Sequence, residues 1–309
     1  MKLAVDVNGG DGSPDQIIGG AFDFISSHPE CELIFCADKD TAAGISSYVT
    51  NPRIQIQISE HSIAMNDTPA VAKKDKPDNT IAGAVRAVKE GRADCAFSCG
   101  NSGAVILNSI DILGMKNDIT APALMSFFPK FERKPAAVFD VGALGNRVFD
   151  AELYYKLIPE AVNIYNILFG SENPSVSILN IGTENWKGTL EHKKLYKMLE
   201  ESIYNFKGNI EGDGLLFSGS DIIITDGFTG NTVLKLLESF NDILKKFAHI
   251  KDCHKENNLL NFLTGDFSYE NVGAAFLLGV NGRIAVGHGK SSSEAVSSGL
   301  ELCLKYCKI

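Results

Sequence analysis

Lys187 stands in "NIGTENWKG", a polar stretch bounded by glycines directly after the aliphatic run "VSIL". A lysine there is a mobile cation, suited to a phosphate or to an oxyanion that develops during acyl transfer. A solvated surface lysine has the same local signature. A second loop, "DGFTGN", follows the β-branched residues Ile222, Ile223 and Ile224, and a helical pattern begins at once with Val233, Leu234, Leu236 and Leu237. It carries Asp226, Gly227, Gly230 and Asn231. Backbone N–H groups at a helix start point outward with partial positive charge, and glycines let an anion approach them. Asn231 adds a side-chain amide. Two more loops have the same character: "NGGDGS" with Gly9, Gly10 and Asp11, and "GNSGA" with Asn101, Ser102 and Gly103. His288, between Gly287 and Gly289, could bond a phosphate or assist a leaving group. Caps and turn bonds explain Asn101, Asp6, Asp11 and Asp226 nearly as well. Any one such loop reads as an ordinary turn between strand and helix, but simple turns do not need so many glycines in one chain.

Several chemistries are disfavoured. No GxGxxG or GxxxxGK[ST] pattern occurs, which argues against dinucleotide or ATP binding, and no GxSxG elbow marks a serine hydrolase. The net charge of −9 disfavours sequence-independent nucleic-acid binding. The 7 cysteines are odd in number and lie largely in apolar runs such as "CELIFC" and "LCLKYC", so reduced thiols and a cytoplasmic setting are expected. No paired CxxC or Cys/His cluster suggests a metal, and none is expected. A strand begins almost at residue 1, so no signal peptide is expected, and no apolar run suffices for a membrane span.

The elements that must hold these loops repeat one grammar. "LAVDV", "CAFSC", "AAVFDV", "VSILN", "DIIIT" and "RIAVG" are short apolar strands, each running into a glycine-bearing polar loop. Two further strands are expected around 32–37 and 54–58. Strands without a polar face, alternating with helices, indicate an α/β fold with a mostly parallel sheet covered on both sides. Such sheets bind ligands at the carboxyl ends of their strands, where most of the glycine loops fall. Ser13, Pro14 and Gln16 suggest a cap, a first-turn proline and a capping-box partner. Ile81, Ala84, Val85 and Val88 form a helical stripe that Gly91 would end. Residues 151–169 form another, which Pro159 should kink or split, and residues 232–263 suggest two helices with a charged joint. No linker is evident, and 1–309 reads as a single domain.

Laid out in order, these segments resemble the PlsX family, the acyl-carrier-protein:phosphate acyltransferases of bacterial phospholipid synthesis. "LAVDVNGGD" is similar to the family's opening Asp-Ala-Met-Gly-Gly-Asp motif, "SCGNSGA" to its Gly-Asn-Thr-Gly segment, and "NIGTENWKG" to its Asn-Ile-Gly-Glu-Glu-Glu-Gly-Lys-Gly run. "GNIEG", "DGFTGN", "GAAFLLGVNG" and "HGKSSS" follow in the family's order. The resemblance implies a three-layer α/β/α sandwich related to phosphotransacetylases and to isocitrate and isopropylmalate dehydrogenases. It implies a homodimer without metal or cofactor, using acyl carrier protein thioester and inorganic phosphate. The product would be an acyl phosphate, passed to a glycerol-3-phosphate acyltransferase at the membrane, with the enzyme cytoplasmic or peripheral at the inner membrane face. Lys187, Asn231 and His288 would be catalytic. Asn101, Ser102, Gly103, Asp226, Gly227, Gly230, Gly9, Gly10 and Asp11 would bind substrate.

The chain departs from the family pattern in places. Gly142-Ala143-Leu144-Gly145-Asn146 stands for Gly-Ala-Asn-Val-Asp, "KKDKPDNT" breaks a basic run that precedes Asp-Ser-Ser, and Asn8 replaces the methionine of the opening motif. Two other readings therefore stand beside the acyltransferase: a phosphotransacetylase-like enzyme on coenzyme A thioesters, and a divergent homologue that binds acyl carrier protein with weak or no turnover. Lys130, Arg133, Lys134, Lys245, Lys246 and Lys251 are candidates for docking the acidic carrier.

Overall fold

The computed structural model describes residues 1–46, 49–68, 71, 74–130, 133–143, 149–217, 219–250 and 273–308. The chain divides into two compact units, Met1–Asn117 with Val272–Ile309, and Asp118–Asn271, where the sequence reads as one domain. In the first unit the strands lie in the order β3-β2-β1-β4-β11-β10: β1 (Lys2–Asp6), β2 (Glu32–Asp38), β3 (Ile54–Ser59), β4 (Cys95–Ser98), β10 (Ala275–Leu278) and β11 (Ile284–Val286). All pair in parallel except β10 with β11. In the second unit the order is β5-β6-β9-β7-β8: β5 (Ala123–Lys130), β6 (Arg133–Phe139), β7 (Ser175–Leu179), β8 (Asn205–Ile210) and β9 (Ile222–Ile224). Here only β5 with β6 is antiparallel. The mostly parallel α/β architecture is thus as expected, while β5, β8 and β10 carried no strand signal that the sequence reading used.

The strand sequences explain the layering. Leu3, Ala4 and Val5 are all fully buried, as are Ile222, Ile223 and Ile224, so neither strand has a solvent face. A strand buried on both sides needs a continuous apolar run rather than alternation. The covering helices in the first unit are α1 (Pro14–Ser27), α2 (Lys39–Ile45), α3 (Thr80–Lys89), α4 (Ser102–Leu113) and α9 (Ser293–Cys307). α1 packs on α9, and α3 packs on α4 and against β1 and β2. The second unit has α5 (Ala151–Phe169), α6 (Leu190–Glu200), α7 (Gly214–Phe217) and α8 (Gly227–Ile250).

Local signals mostly resolve as the residue types dictate. Ser13 caps α1 through Asp15 N, and Asn79 caps α3 by accepting from Ala82 N at 2.8 Å. Gly91 follows α3 with φ +68°, the left-handed conformation expected of it. Four expectations need correction. Gln16 does not close a capping box, because its side-chain oxygen instead accepts from Ser293 N at 3.2 Å and joins α1 to α9. Pro159 does not split α5, which is continuous over 19 residues. α8 begins at Gly227, five residues before the expected start, and the proposed second helix and its charged joint fall largely beyond the described residues. Lys130 is not a surface cation, since its Nζ donates to the Ser220 carbonyl at 2.7 Å and it is 6% exposed. The described cysteines are free and buried, and burial pushes the Cys36 and Cys99 thiols up to about 12. No helix among the described residues is long and apolar enough to cross a membrane.

The α1–α9 contact depends on Gly20, where an added methyl would overlap the Ser293 carbonyl and press on Val296 Cβ at 2.7 Å. Gly20→Ala is expected to destabilise the protein by about 1–3 kcal/mol, read as a lower urea midpoint; an unchanged midpoint would show that the two helices separate at no cost.

Candidate functional site

In the first unit the strand order reverses between β1 and β4, the position where such sheets place ligands. The loops that leave those two strands carry Gly9, Gly10, Asp11 and Asn101, and Ser102 and Gly103 open α4. Beneath them lies Asp6, 1% exposed, which accepts from the Ser98 hydroxyl at 2.7 Å. Burial pushes its carboxyl up, against the opposing hydrogen bonds of Ser98 and Thr80. Gly9 packs on this group: a Cβ there would stand 2.8 Å from Asp6 Oδ2 and 2.6 Å from Gly100 N. Asn8, in the methionine position of the opening motif, ties the loop to the end of β2 by donating to Asp38 Oδ2 and Thr41 Oγ1, each at 2.9 Å.

Gly9, Gly10, Asp11, Gly12 and Ser13 line a cleft of about 260 Å³ with Ser291 and its neighbours, at the start of α1. The N–H groups of Gly9, Gly10 and Gly12 have no hydrogen-bond partner among the described residues. This is the arrangement that accepts an anion at a helix start. Asp11 N is engaged with the Gly289 carbonyl at 2.7 Å. His288 occupies a turn, where its Nδ1 accepts from Lys290 N at 3.1 Å, which places the ring proton on Nε2. Asn101 caps α4 through Ala104 N and donates to the carbonyls of Met65 and Asp67 at 3.0 and 2.8 Å. Its amide thus holds the 65–67 loop in place.

In the second unit Asp140, at the end of β6, organises the loops. It is fully buried, and its Oδ1 accepts from the N–H groups of Leu124, Gly142 and Ala143, each at 2.9 Å. The "DGFTGN" loop packs directly on it. A Cβ on Gly227 would stand 2.9 Å from Asp140 Oδ2, and one on Gly230 would overlap the Asp140 carbonyl oxygen. The two glycines therefore serve close packing, and the Gly230 N–H donates to the Asp226 carbonyl at 2.8 Å. Asp226 completes the cap by accepting from Thr229 N and its hydroxyl at 2.9 and 2.6 Å. The expectation that these glycines free their amides for a ligand is thereby replaced by a packing role. What this loop leaves exposed is the Asn231 side chain, set against Gly142 with φ +122°. Leu144, Gly145 and Asn146 lie outside the described residues, as do Lys73 and Lys251.

Lys187 sits in the loop beyond the carboxyl end of β7, half-buried, next to exposed Trp186. Its backbone is fixed on both sides, through Lys187 N to the Glu184 carbonyl at 3.1 Å and through its own carbonyl to Asn180 Nδ2 at 3.2 Å. Its ammonium makes no ion pair among the described residues. His192 was not singled out from the sequence. It stacks on buried Phe149 with ring centroids 4.2 Å apart, and its Nδ1 lies 2.7 Å from the Thr189 hydroxyl. Burial lowers its pKa, while the nearby Asp226 charge opposes that shift. The only local signal was its place in the first turn after the Lys187 loop; the Phe149 stack is non-local.

The chain matches a protein family model described as fatty acid synthesis protein over residues 1–307. A phosphate acyltransferase of Staphylococcus saprophyticus is 32% identical, with 97% of this chain and 92% of that protein covered. One from Dehalococcoides mccartyi is 34% identical, covering 98% and 90%. Among solved structures, a phosphotransacetylase from Streptococcus pyogenes superposes with a TM-score of 0.64 at 12% identity, over 99% of this chain and 94% of that one. A 4-hydroxythreonine-4-phosphate dehydrogenase from Klebsiella pneumoniae gives 0.57 at 13%, over 100% and 99%. These two likenesses establish the fold that the resemblance implied.

Asp140→Ala would leave the buried Leu124 N–H and the half-buried N–H groups of Gly142 and Ala143 without this acceptor, so a loss of about 2–4 kcal/mol is expected, measured by urea denaturation; a loss below 1 kcal/mol would show that the loops do not depend on it. His192 titrates below its ordinary 6.5 in the folded protein. The unfolded chain therefore binds more protons in the window just under that value, and stability falls on acidification through it. Thermal midpoints between pH 7.5 and 5.5 should show a shallower acid slope for His192→Gln than for the unaltered protein, and identical slopes would contradict this assignment.

Proposed function

This chain belongs to the PlsX family of fatty acid synthesis proteins, and we propose that it moves a fatty acyl group from the thioester of acyl carrier protein to inorganic phosphate. The observation that carries the reading is the Lys187 ammonium, held on a pinned loop at a strand's carboxyl end with no carboxylate partner among the described residues. Phosphate at neutral pH is already an anionic nucleophile, so no activated serine or cysteine is required. A phosphate oxygen attacks the thioester carbon, the carbon–sulfur bond breaks, and the proton of hydrogen phosphate ends on the carrier thiol. Lys187 and Asn231 hold phosphate and the developing oxyanion, which is electrostatic stabilisation by donors already in place. His288, with its proton on Nε2, assists at the leaving group.

Asn101, Ser102, Gly103, Gly9, Gly10 and Asp11 bind substrate in this reading, with the unpartnered amides of Gly9 and Gly10 as anion donors. Asp226, Gly227 and Gly230 act by presenting Asn231. Residues 1–309 work as one acyltransferase domain, with no metal or cofactor. The acyl phosphate supplies glycerophospholipid synthesis through a downstream glycerol-3-phosphate acyltransferase at the membrane, and the enzyme is cytoplasmic or peripheral to that membrane. A homodimer is supported by an exposed apolar stripe on α8 at helical spacing: Leu236, Phe240 and Ile243, 68%, 54% and 49% exposed.

Lys187→Ala is expected to lower turnover on the order of 10²–10³-fold, with circular dichroism unchanged. The assay uses palmitoyl carrier protein and phosphate, with acyl phosphate trapped by hydroxylamine. Undiminished turnover would remove Lys187 from the site.

A further inference from the structure

The loop that delivers Lys187 is held from a neighbouring strand. β7 and β8 run parallel, with Val176 opposite Phe206 and Ile178 opposite Asn209, so two steps along β7 match three along β8. The extra residue is absorbed at Lys207–Gly208, where Gly208 takes φ +89°. A bulge of this kind reverses the alternation beyond it and re-aims the next side chain. Lys207 consequently faces solvent, while Asn209 is 6% exposed. Asn209 Nδ2 donates to the Glu184 carbonyl at 2.8 Å. That same carbonyl accepts from Lys187 N at 3.1 Å. On the other side Asn180 Nδ2 donates to the Lys187 carbonyl at 3.2 Å, close to Gly188 with φ +85°. The lysine stem lies along Gly182, where an added Cβ would stand 3.0 Å from Lys187 Cγ. Two asparagine amides therefore hold this turn, one at the Glu184 carbonyl and one at the Lys187 carbonyl.

The other end of the Asn209 amide is informative. Its Oδ1 is buried and has no hydrogen-bond partner among the described residues. An unpaired buried acceptor is destabilising, and an apolar side chain of similar volume would serve the fold better. Local rules of folding are broken where function requires a group. The group here is Nδ2, and what it holds is the turn that fixes Lys187.

We propose that Asn209, aimed by the Gly208 bulge, is a positioning residue for Lys187: it anchors the Glu184 carbonyl and so sets where the ammonium meets its anion. This rests on the role of Lys187 argued above. Asn209→Leu removes the donor and the unpaired oxygen together while keeping the same number and branching of side-chain heavy atoms. In the full-length protein, with palmitoyl carrier protein and phosphate, the thermal midpoint should be unchanged or higher, while kcat/KM for phosphate falls at least tenfold. In a Lys187→Ala background the same change should alter residual turnover by less than twofold, because both act through one group. Asn209→Ala, too small to clash, should reproduce both results. Unaltered kcat/KM in either Asn209 variant overturns the proposal, as does a loss that multiplies onto that of Lys187→Ala. Full activity of Lys187→Ala by itself would reject the reading of Lys187 and would be seen before any Asn209 variant is compared.

Discussion

A carboxylate buried at the end of a strand, Asp140, governs the loops of the second unit. It gathers three backbone N–H groups on one oxygen and presents its other atoms to the first turn of α8. A buried carboxyl group is tolerable only when hydrogen bonds replace the water it has lost. That requirement brings the 124 and 142–143 backbones together, and it leaves so little room that only glycine fits at 227 and 230. Asp6 plays a related part in the first unit, with Ser98 as its donor and Gly9 as the residue that must lack a side chain. In both units the glycine next to the candidate site is first a packing requirement.

This changes how the glycine loops are understood. In "DGFTGN" the Thr229 and Gly230 N–H groups are engaged by Asp226, and the group offered outward is a side-chain amide, Asn231. In "NGGDGS" the N–H groups of Gly9 and Gly10 have no partner among the described residues, and both glycines line a cleft. The same composition thus yields a close-packed turn in one place and a cleft-lining loop in the other. A carboxylate sits against both, Asp140 against Gly227 and Asp6 against Gly9, and what separates them is the cleft that opens beside the second.

Much of the fold was legible because its signals are short-range. Apolar runs such as "LAVDV" and "DIIIT" name strands buried on both sides, and Ser13, Asn79 and Gly91 mark helix ends through bonds made within a few residues. The segment "ALMSFFPK" was passed over because its polar and proline-bearing positions do not alternate, and Lys130 was misplaced because its partner, the Ser220 carbonyl, lies 90 residues away. Pro159 was expected to break α5, yet packing on both sides keeps the helix whole: Leu157, Ile158 and Ala161 are all buried.

The candidate site divides along the same line. The order of motifs along the chain determined the family, the α/β class and the loops that carry Lys187, Asn231 and His288, since each is a local pattern of residue types. The tertiary structure alone decided which groups meet: Asn209 with the Glu184 carbonyl, His192 with Phe149, and Gly230 with Asp140, a pair 90 positions apart. Strand order and register set those encounters. A bulge that shifts the register by one residue turns a side chain to the opposite face, and no local pattern records where that face will point.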